Sequence, residues 1–478
     1  MTSFGQLLKT LIVESGESIS KIAQLTGIDR PTIYKYISGS RIPTRAGLSS
    51  LLHSIRATAK EKEQIIAQYE LESAGETAYY QRQAVKRLLN GLKATAIHPL
   101  SGSDDIADLA ISSNHCTDEL SVLHGTASIF SEIMDQVGSE KTEVSIYPNI
   151  PATLLNFIVD AIVHKGKKQL PLYQIWRYPK RMQTDEEVRQ CIDGLTDVIS
   201  LSLNPHINYQ TLYYYGSGSF RPSDTDVFPY TIVFSNAVMR FNADITCAMV
   251  IRQWDVVQIY KQHFNNLKNM CYALVSCGED AMKTISIFSE LENQCGQIYK
   301  LMLQPCLPKY ASQKAVERVL DQIAAVNADM AIQMSNRMPQ LRAMQDDKSI
   351  FFEYGIASFA TNGFVIDIPG SYAYSITREE RIEILKALRE DCLMHEYRML
   401  RTGVLSMPEN VMIEICQDVC VSFVLTDTQY HNVAVIRESS VINAFCDFLE
   451  YLLQSNGVAT QEETVEIIDR YITELETG

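Results

Sequence analysis

The residues whose types and spacing point to chemistry are concentrated near the start of the chain, in SISKIAQLTGIDRPTIYKYISGSRIP at 18–43. Asp29 stands where a side-chain oxygen would accept the free N–H groups of a helix's first turn. Before and after it, Ile19, Ile22, Ala23 and Leu25 supply an apolar face, Gly27 a tight turn, and Ile28 and Ile33 apolar plugs. Arg30, Tyr34, Lys35, Ser38 and Arg41 are left to face outward, with Ser18, Pro31 and Thr32 beside them. Pro31 is tolerated in a first helical turn because the N–H groups there have no helical partner. Two helices about a Gly turn, the second offering cationic and hydroxyl groups from its N-terminal half, form the geometry that enters a DNA major groove. The segment is built for hydrogen bonding and phosphate attraction, not for bond breaking.

No set with catalytic spacing accompanies it. The chain has no GxxxxGK[ST], no GxGxxG after a strand, no GxSxG and no HExxH. Its nine histidines are dispersed, none at metal-ligand spacing. The expectation is therefore no enzyme, no cofactor and no metal. The eleven cysteines lie between Cys116 and Cys446 without a CxxC pair, and Cys247, Cys271, Cys416 and Cys420 have apolar neighbours. That usage fits reduced, buried thiols and a cytoplasmic protein. Tyr213, Tyr214 and Tyr215 before GSGS read as a strand end with edge tyrosines rather than a pocket wall.

The elements that position the 18–43 side chains are a helix at Phe4–Ser15 and a closing helix at Thr44–Ile55. On Ser18, Ala23, Gly27, Ile28, Thr32, Ile33, Gly39, Arg41 and Pro43, residues 4–56 resemble the lambda-repressor/Cro (XRE-like) helix-turn-helix family. Ile37, where that family often has an acidic residue, and Pro31, where a base-reading polar side chain is common, are departures. The resemblance implies binding of a palindromic double-stranded DNA operator as a homodimer, and repression. Ser18, Arg30, Pro31, Thr32, Tyr34, Lys35, Ser38 and Arg41 would be its contact residues, with Arg30 and Lys35 leading the readout.

Charge points the same way. Residues 1–56 carry seven Lys or Arg against three carboxylates, +4, whereas the whole 478-residue chain is −15. A basic head on an acidic body localises phosphate attraction. No apolar run reaches membrane-spanning length, so no membrane partner is expected.

The length requires several domains. The boundaries read as 1–57, the helix-turn-helix domain; 58–115, a helical connector; 116–280, a first α/β unit; 281–350, a helical bridge; and 351–478, a second α/β unit. The fold class is thus multidomain, an all-α head followed by an α/β (α+β) regulatory body. Two related units are suggested by an echo: Val250-Ile251-Arg252 matches Val435-Ile436-Arg437, Val256-Val257 matches Val441-Ile442, and Tyr260 matches Phe445, all offset by 185. The helix 377–401 would answer the helix 185–203. Arg252 and Arg437, at matching strand ends, would either hold an anionic effector in a cleft between the units or make internal salt bridges. The functional expectation is a sequence-specific DNA-binding transcriptional regulator, a repressor, whose body senses a small-molecule or protein effector or dimerises. The alternative is a DNA-tethered scaffold recruiting a partner protein. If the echo is a true duplication, both halves must show one strand order.

Overall fold

The computed structural model describes residues 3–95, 143–164, 170–179, 185–204, 207–216, 226–246, 248–278, 296–344, 347–366, 368, 374–426 and 431–477. Two compact units are separable, one of residues 1–84 with 183–189 and one of 85–182 with 190–478.

In the first unit, α1 (Phe4–Ser15), α2 (Ile19–Thr26), α3 (Arg30–Ile37) and α4 (Arg45–Ser54) start where the sequence offers caps. Ser18 Oγ accepts from Lys21 N, an Asp29 carboxylate oxygen from Thr32 N, and Thr44 Oγ1 from Gly47 N. Gly27 ends α2 at φ +71°, a left-handed conformation that a Cβ disfavours. Phe4, Leu8, Ile22, Ile33 and Leu51 fill the core. Leu25, expected to face inward, is instead 60% exposed, because the Ile22 row already meets that core. Helix α5 (Ala59–Ala74) adds Ile65 to the same core, and the Phe4 and Tyr69 rings meet at 5.8 Å. The head therefore runs past residue 57, and the first half of the expected connector belongs to it. Helix α6 (Glu76–Thr95) follows, and residues 96–115 of that connector lie outside the described residues.

The second unit holds two seven-stranded mixed sheets. The first contains β1 (Val144–Tyr147), β2 (Leu172–Pro179), β3 (Tyr209–Gly216), β4 (Tyr230–Val233), β5 (Val238–Phe241), β6 (Ala248–Ile251) and β7 (Tyr272–Ala273), in the order β6-β5-β4-β1-β2-β3-β7. Helices α7 (Ala152–His164) and α8 (Asp185–Leu203) connect the parallel strands β1, β2 and β3, and α9 (Trp254–Lys268) follows β6. The second sheet takes β8 (Val275–Gly278), β9 (Ile298–Met302), β10 (Asp347–Phe352), β11 (Tyr397–Leu400), β12 (Val411–Cys416), β13 (Cys420–Thr426) and β14 (His431–Ile436). Its order is β11-β10-β9-β12-β13-β14-β8.

Six strands of each sheet follow one order and one set of directions. Each has three parallel strands joined by helical crossovers, then three antiparallel strands continuing from the first strand's other edge. A 15-residue helix comes next, α9 in one half and α14 (Ser439–Leu453) in the other. The seventh strands differ, β7 adding to β3 and β8 to β14.

Two expectations need correction. The segment 281–350 is no helical bridge: β9 and β10 lie in it, and α10 (Gln313–Ala324) and α11 (Ala328–Ala343) form their crossover. The second unit thus begins before residue 351. The stretch 377–401 is not one helix either: α13 (Arg378–Met394) stops at His395, and β11 begins at Tyr397.

Between α11 and α13 lies α12 (Glu353–Asn362), whose first turn abuts β9 through Gly355. A Cβ there would stand 2.0 Å from the Leu303 carbonyl oxygen. Fully buried Gln304 locks the contact, donating to the carbonyls of Gly355 (2.9 Å) and Phe364 (2.8 Å) and accepting from Ile366 N (3.0 Å). The last helix, α15 (Gln461–Thr477), covers α13 and α12 with Val465, Ile468 and Ile472.

Gly355→Ala must displace backbone, so a loss of about 1–3 kcal/mol or more is expected in urea unfolding. Gly296→Ala, with nothing within 4 Å of its Cβ position, should change stability by less than about 0.5 kcal/mol.

Candidate functional site

The strand registers place one continuous row of side chains across each sheet. Residues paired directly across neighbouring strands point to the same face. In the second sheet the row is Val435, Ser422, Glu414, Lys300, Ser349 and Tyr397. In the first it is Val250, Met239, Ile232, Ile146, Gln174 and Thr211. The 185-residue offset that matches Val250 to Val435 therefore sets Ile146 against Lys300 and Ile232 against Glu414. One copy has an apolar pair at its centre; the other has an ammonium and a carboxylate, 3% and 7% exposed as residues.

These charges belong to a buried chain of polar groups. Lys300 Nζ lies 3.6 Å from Asp347 and 3.7 Å from Glu414, ion-pair rather than hydrogen-bond distances. Tyr397 donates to Asp347 at 2.6 Å and accepts from Lys309 Nζ at 2.7 Å. Lys309 pairs with Asp391 at 2.9 Å, and Tyr310 donates to the same carboxylate at 2.8 Å. Burial, then the neighbouring Asp347, pushes the Tyr397 hydroxyl far above the ordinary tyrosine value, so it stays a donor. Ser349 Oγ, buried beside Lys300, finds no hydrogen-bond partner among the described residues.

Above Lys300 and Glu414 the sheet does not meet its crossover helices tightly. A cavity of about 150 Å³ remains there, with α10 and α11 forming its opposite wall. Met302, Val319, Leu320, Met334, Met338 and Leu341 make it largely apolar, and Lys300, Glu414 and Arg337 are its charged members. A buried ion pair gains little for folding unless its remaining hydrogen-bonding capacity is used. The arrangement can take an apolar body with a polar head.

The residues singled out in the sequence lie elsewhere. Arg30, Pro31, Tyr34, Lys35, Ser38 and Arg41 are exposed on α3 and the loop after it. Thr32 is held by Asp29 through its hydroxyl at 2.8 Å, Ser18 is the α2 cap, and Ser38 Oγ donates to the Lys35 carbonyl at 3.1 Å. Arg252 and Arg437 follow the ends of the equivalent strands β6 and β14, both exposed, and neither lines the cavity. Tyr213 and Tyr215 end β3, as a strand reading expects, and Tyr215 donates to Glu438 at 2.9 Å. Lys300 and Glu414 carried no signal beyond a charge inside an apolar run, and Asp347 none beyond a polar stretch, QDDKS. Among the described residues no cluster of three or more His, Cys, Asp or Glu could hold a metal ion, and no helix is long and apolar enough to cross a membrane.

The duplicated frame predicts the energetics of the pair. Lys300→Ile alone leaves buried carboxylates without their cation and should cost about 3–5 kcal/mol in chemical unfolding. Lys300→Ile with Glu414→Ile restores the pattern of Ile146 and Ile232, and should be more stable than Lys300→Ile alone.

No family model matches this chain, and no curated protein does. Among solved structures it is similar to phosphatidylserine synthase of Haemophilus influenzae Rd KW20, at 10% identity and TM-score 0.23 over 73% of this chain and 92% of that one. It is also similar to polyphosphate kinase of Porphyromonas gingivalis, at 10% identity and TM-score 0.22 over 73% of this chain and 54% of that one. Both are named as enzymes. Those names stand against the expectation of a sequence-specific DNA-binding repressor and its DNA-tethered scaffold alternative, neither of which is carried further, and the expectation of no enzyme is not retained. At these TM-scores the likeness transfers neither activity.

Proposed function

We propose that the second α/β half is a receptor for a small amphipathic molecule, bound between its sheet and helices α10 and α11. The observation that carries this reading is the Lys300–Glu414 pair at the floor of an apolar cavity, where the matching half has Ile146 and Ile232. The same strand frame closes without charge in the first copy, so folding does not demand them. An ammonium beside a carboxylate suits a head group that accepts one hydrogen bond and donates another, such as a hydroxyl or a primary amide. About 150 Å³ is the scale of cavity that takes a single aromatic ring. The head enters this proposal as a fold only: α2 and α3 about Gly27 support a helix-turn-helix-like arrangement of the N-terminal residues.

The test is thermal and calorimetric titration of the full chain with p-cresol, hexanamide and toluene. The hydroxyl and amide compounds should stabilise the protein saturably, by about 2.7 kcal/mol at a hundredfold excess over Kd. Lys300→Ile with Glu414→Ile should lose that response and favour toluene. If no member of the series stabilises the wild-type chain, or the paired substitution leaves cresol binding unchanged, the reading fails.

A further inference from the structure

The hairpin that joins β12 to β13 in the second half ends in two cysteines. Cys416, the last residue of β12, stands directly across the ladder from Cys420, the first of β13. Residues so opposed on antiparallel strands have Cα atoms about 4.5–5.5 Å apart, a span that a disulfide bridges. Both are free thiols here, and the Cys416 side chain is hydrogen-bonded to that of Cys420. Gln417, Asp418 and Val419 join them, with Asp418 left-handed at φ +62° and Val419 N–H donating to the Cys416 carbonyl at 3.0 Å. Gln417 and Asp418 are exposed, while the two cysteines are buried just beneath the turn with Ile298, Val424, Val433 and Val435.

The first half closes the same hairpin without sulfur. With Ile232 in the place of Glu414 and Met239 in that of Ser422, Phe234 answers Cys416 and Ala237 answers Cys420. Phe234 N–H donates to the Ala237 carbonyl at 2.8 Å across the Ser235-Asn236 turn. The strand frame itself therefore calls for no thiol at this end of the sheet. In the second half Cys420 Sγ lies 3.7 Å from Ser422 Oγ. The Cys416 hydrogen bond, helped by Ser422 and the Arg437 charge, outweighs burial and pulls the Cys420 thiol down to about 7. Near neutral pH much of Cys420 is thus thiolate, the form that attacks an electrophile.

We propose that Cys416 and Cys420 form a reversible oxidation site, at which hydrogen peroxide converts the thiol pair into a cross-strand disulfide. The Cys420 thiolate attacks one peroxide oxygen and the O–O bond breaks, leaving a sulfenic acid and a hydroxide. That hydroxide takes up the proton Cys420 had released and departs as water. The Cys416 sulfur then attacks the sulfenic sulfur, the S–O bond breaks, and a second water carries away the Cys416 proton. The pair loses two electrons and the peroxide gains them, and a thiol reductant reverses the change. The site does not depend on a ligand in the cavity.

The test is exposure of the full chain to hydrogen peroxide, removal of the oxidant, then unfolding in an alkylating agent and peptide mapping. Cys416 and Cys420 should escape alkylation together, on a peptide lighter by two hydrogens, and dithiothreitol should restore both. Only the thiolate reacts, so the rate should rise with pH and reach half its maximum near the Cys420 value of about 7. Cys392, whose thiol burial pushes up to about 12, should stay reduced over the same time. Alkylation of Cys416 and Cys420 after peroxide as complete as before it, or loss of the Cys420 thiol no faster than that of Cys392, would overturn the proposal.

Discussion

The constraint on which the rest of this structure depends is the two-residue period of a β-strand locked into a fixed register. Once Lys300 pairs with Glu414, and Ile146 with Ile232, every neighbour two residues away shares that face and every adjacent residue takes the other. A slip by one residue in β9 would exchange Lys300 with Leu301 and drive a charge into the core against α14. The hydrogen-bonded ladder therefore selects which chemistry reaches which side of each sheet. It also makes the two halves comparable residue by residue.

That comparison separates what folding requires from what it does not. Both halves bury Val, Ile and Phe side chains on six similarly ordered strands, and both cover the sheet with a 15-residue helix after the sixth. They part at two places. The second half is charged beneath α10 and α11 and closed beneath α14; the first is apolar around Ile146 and Ile232 and polar beneath α9. One strand frame thus carries different chemistry on opposite faces of its two copies. Burying Lys300 between Asp347 and Glu414 carries a desolvation cost that Ile146 avoids.

Much of the architecture was legible because it is local. The cap at Asp29 and the turn at Gly27 located two helices of the head, while the caps at Ser18 and Thr44 emerge from the structure. The matching apolar positions around Arg252 and Arg437 exposed the repeat that the strand order of the two sheets shares. The start of the second copy was hidden because β9 is only five residues, IYKLM, and the long periods of α10 and α11 dominate its surroundings. The charged floor of the cavity was not legible at all. Lys300 and Glu414 are far apart in the chain and meet only through β9–β12 pairing. Exposed cations near the N-terminus were conspicuous instead, because surface chemistry can be read from one helix and buried chemistry cannot.

The most direct measurement is an experimental structure of the full chain with p-cresol bound. The account predicts the ring between Met302, Val319 and Met338, with its oxygen about 3 Å from both Lys300 Nζ and a Glu414 carboxylate oxygen. Cresol seated elsewhere, or a cavity filled by its own side chains with Lys300 and Glu414 joined directly, would contradict it.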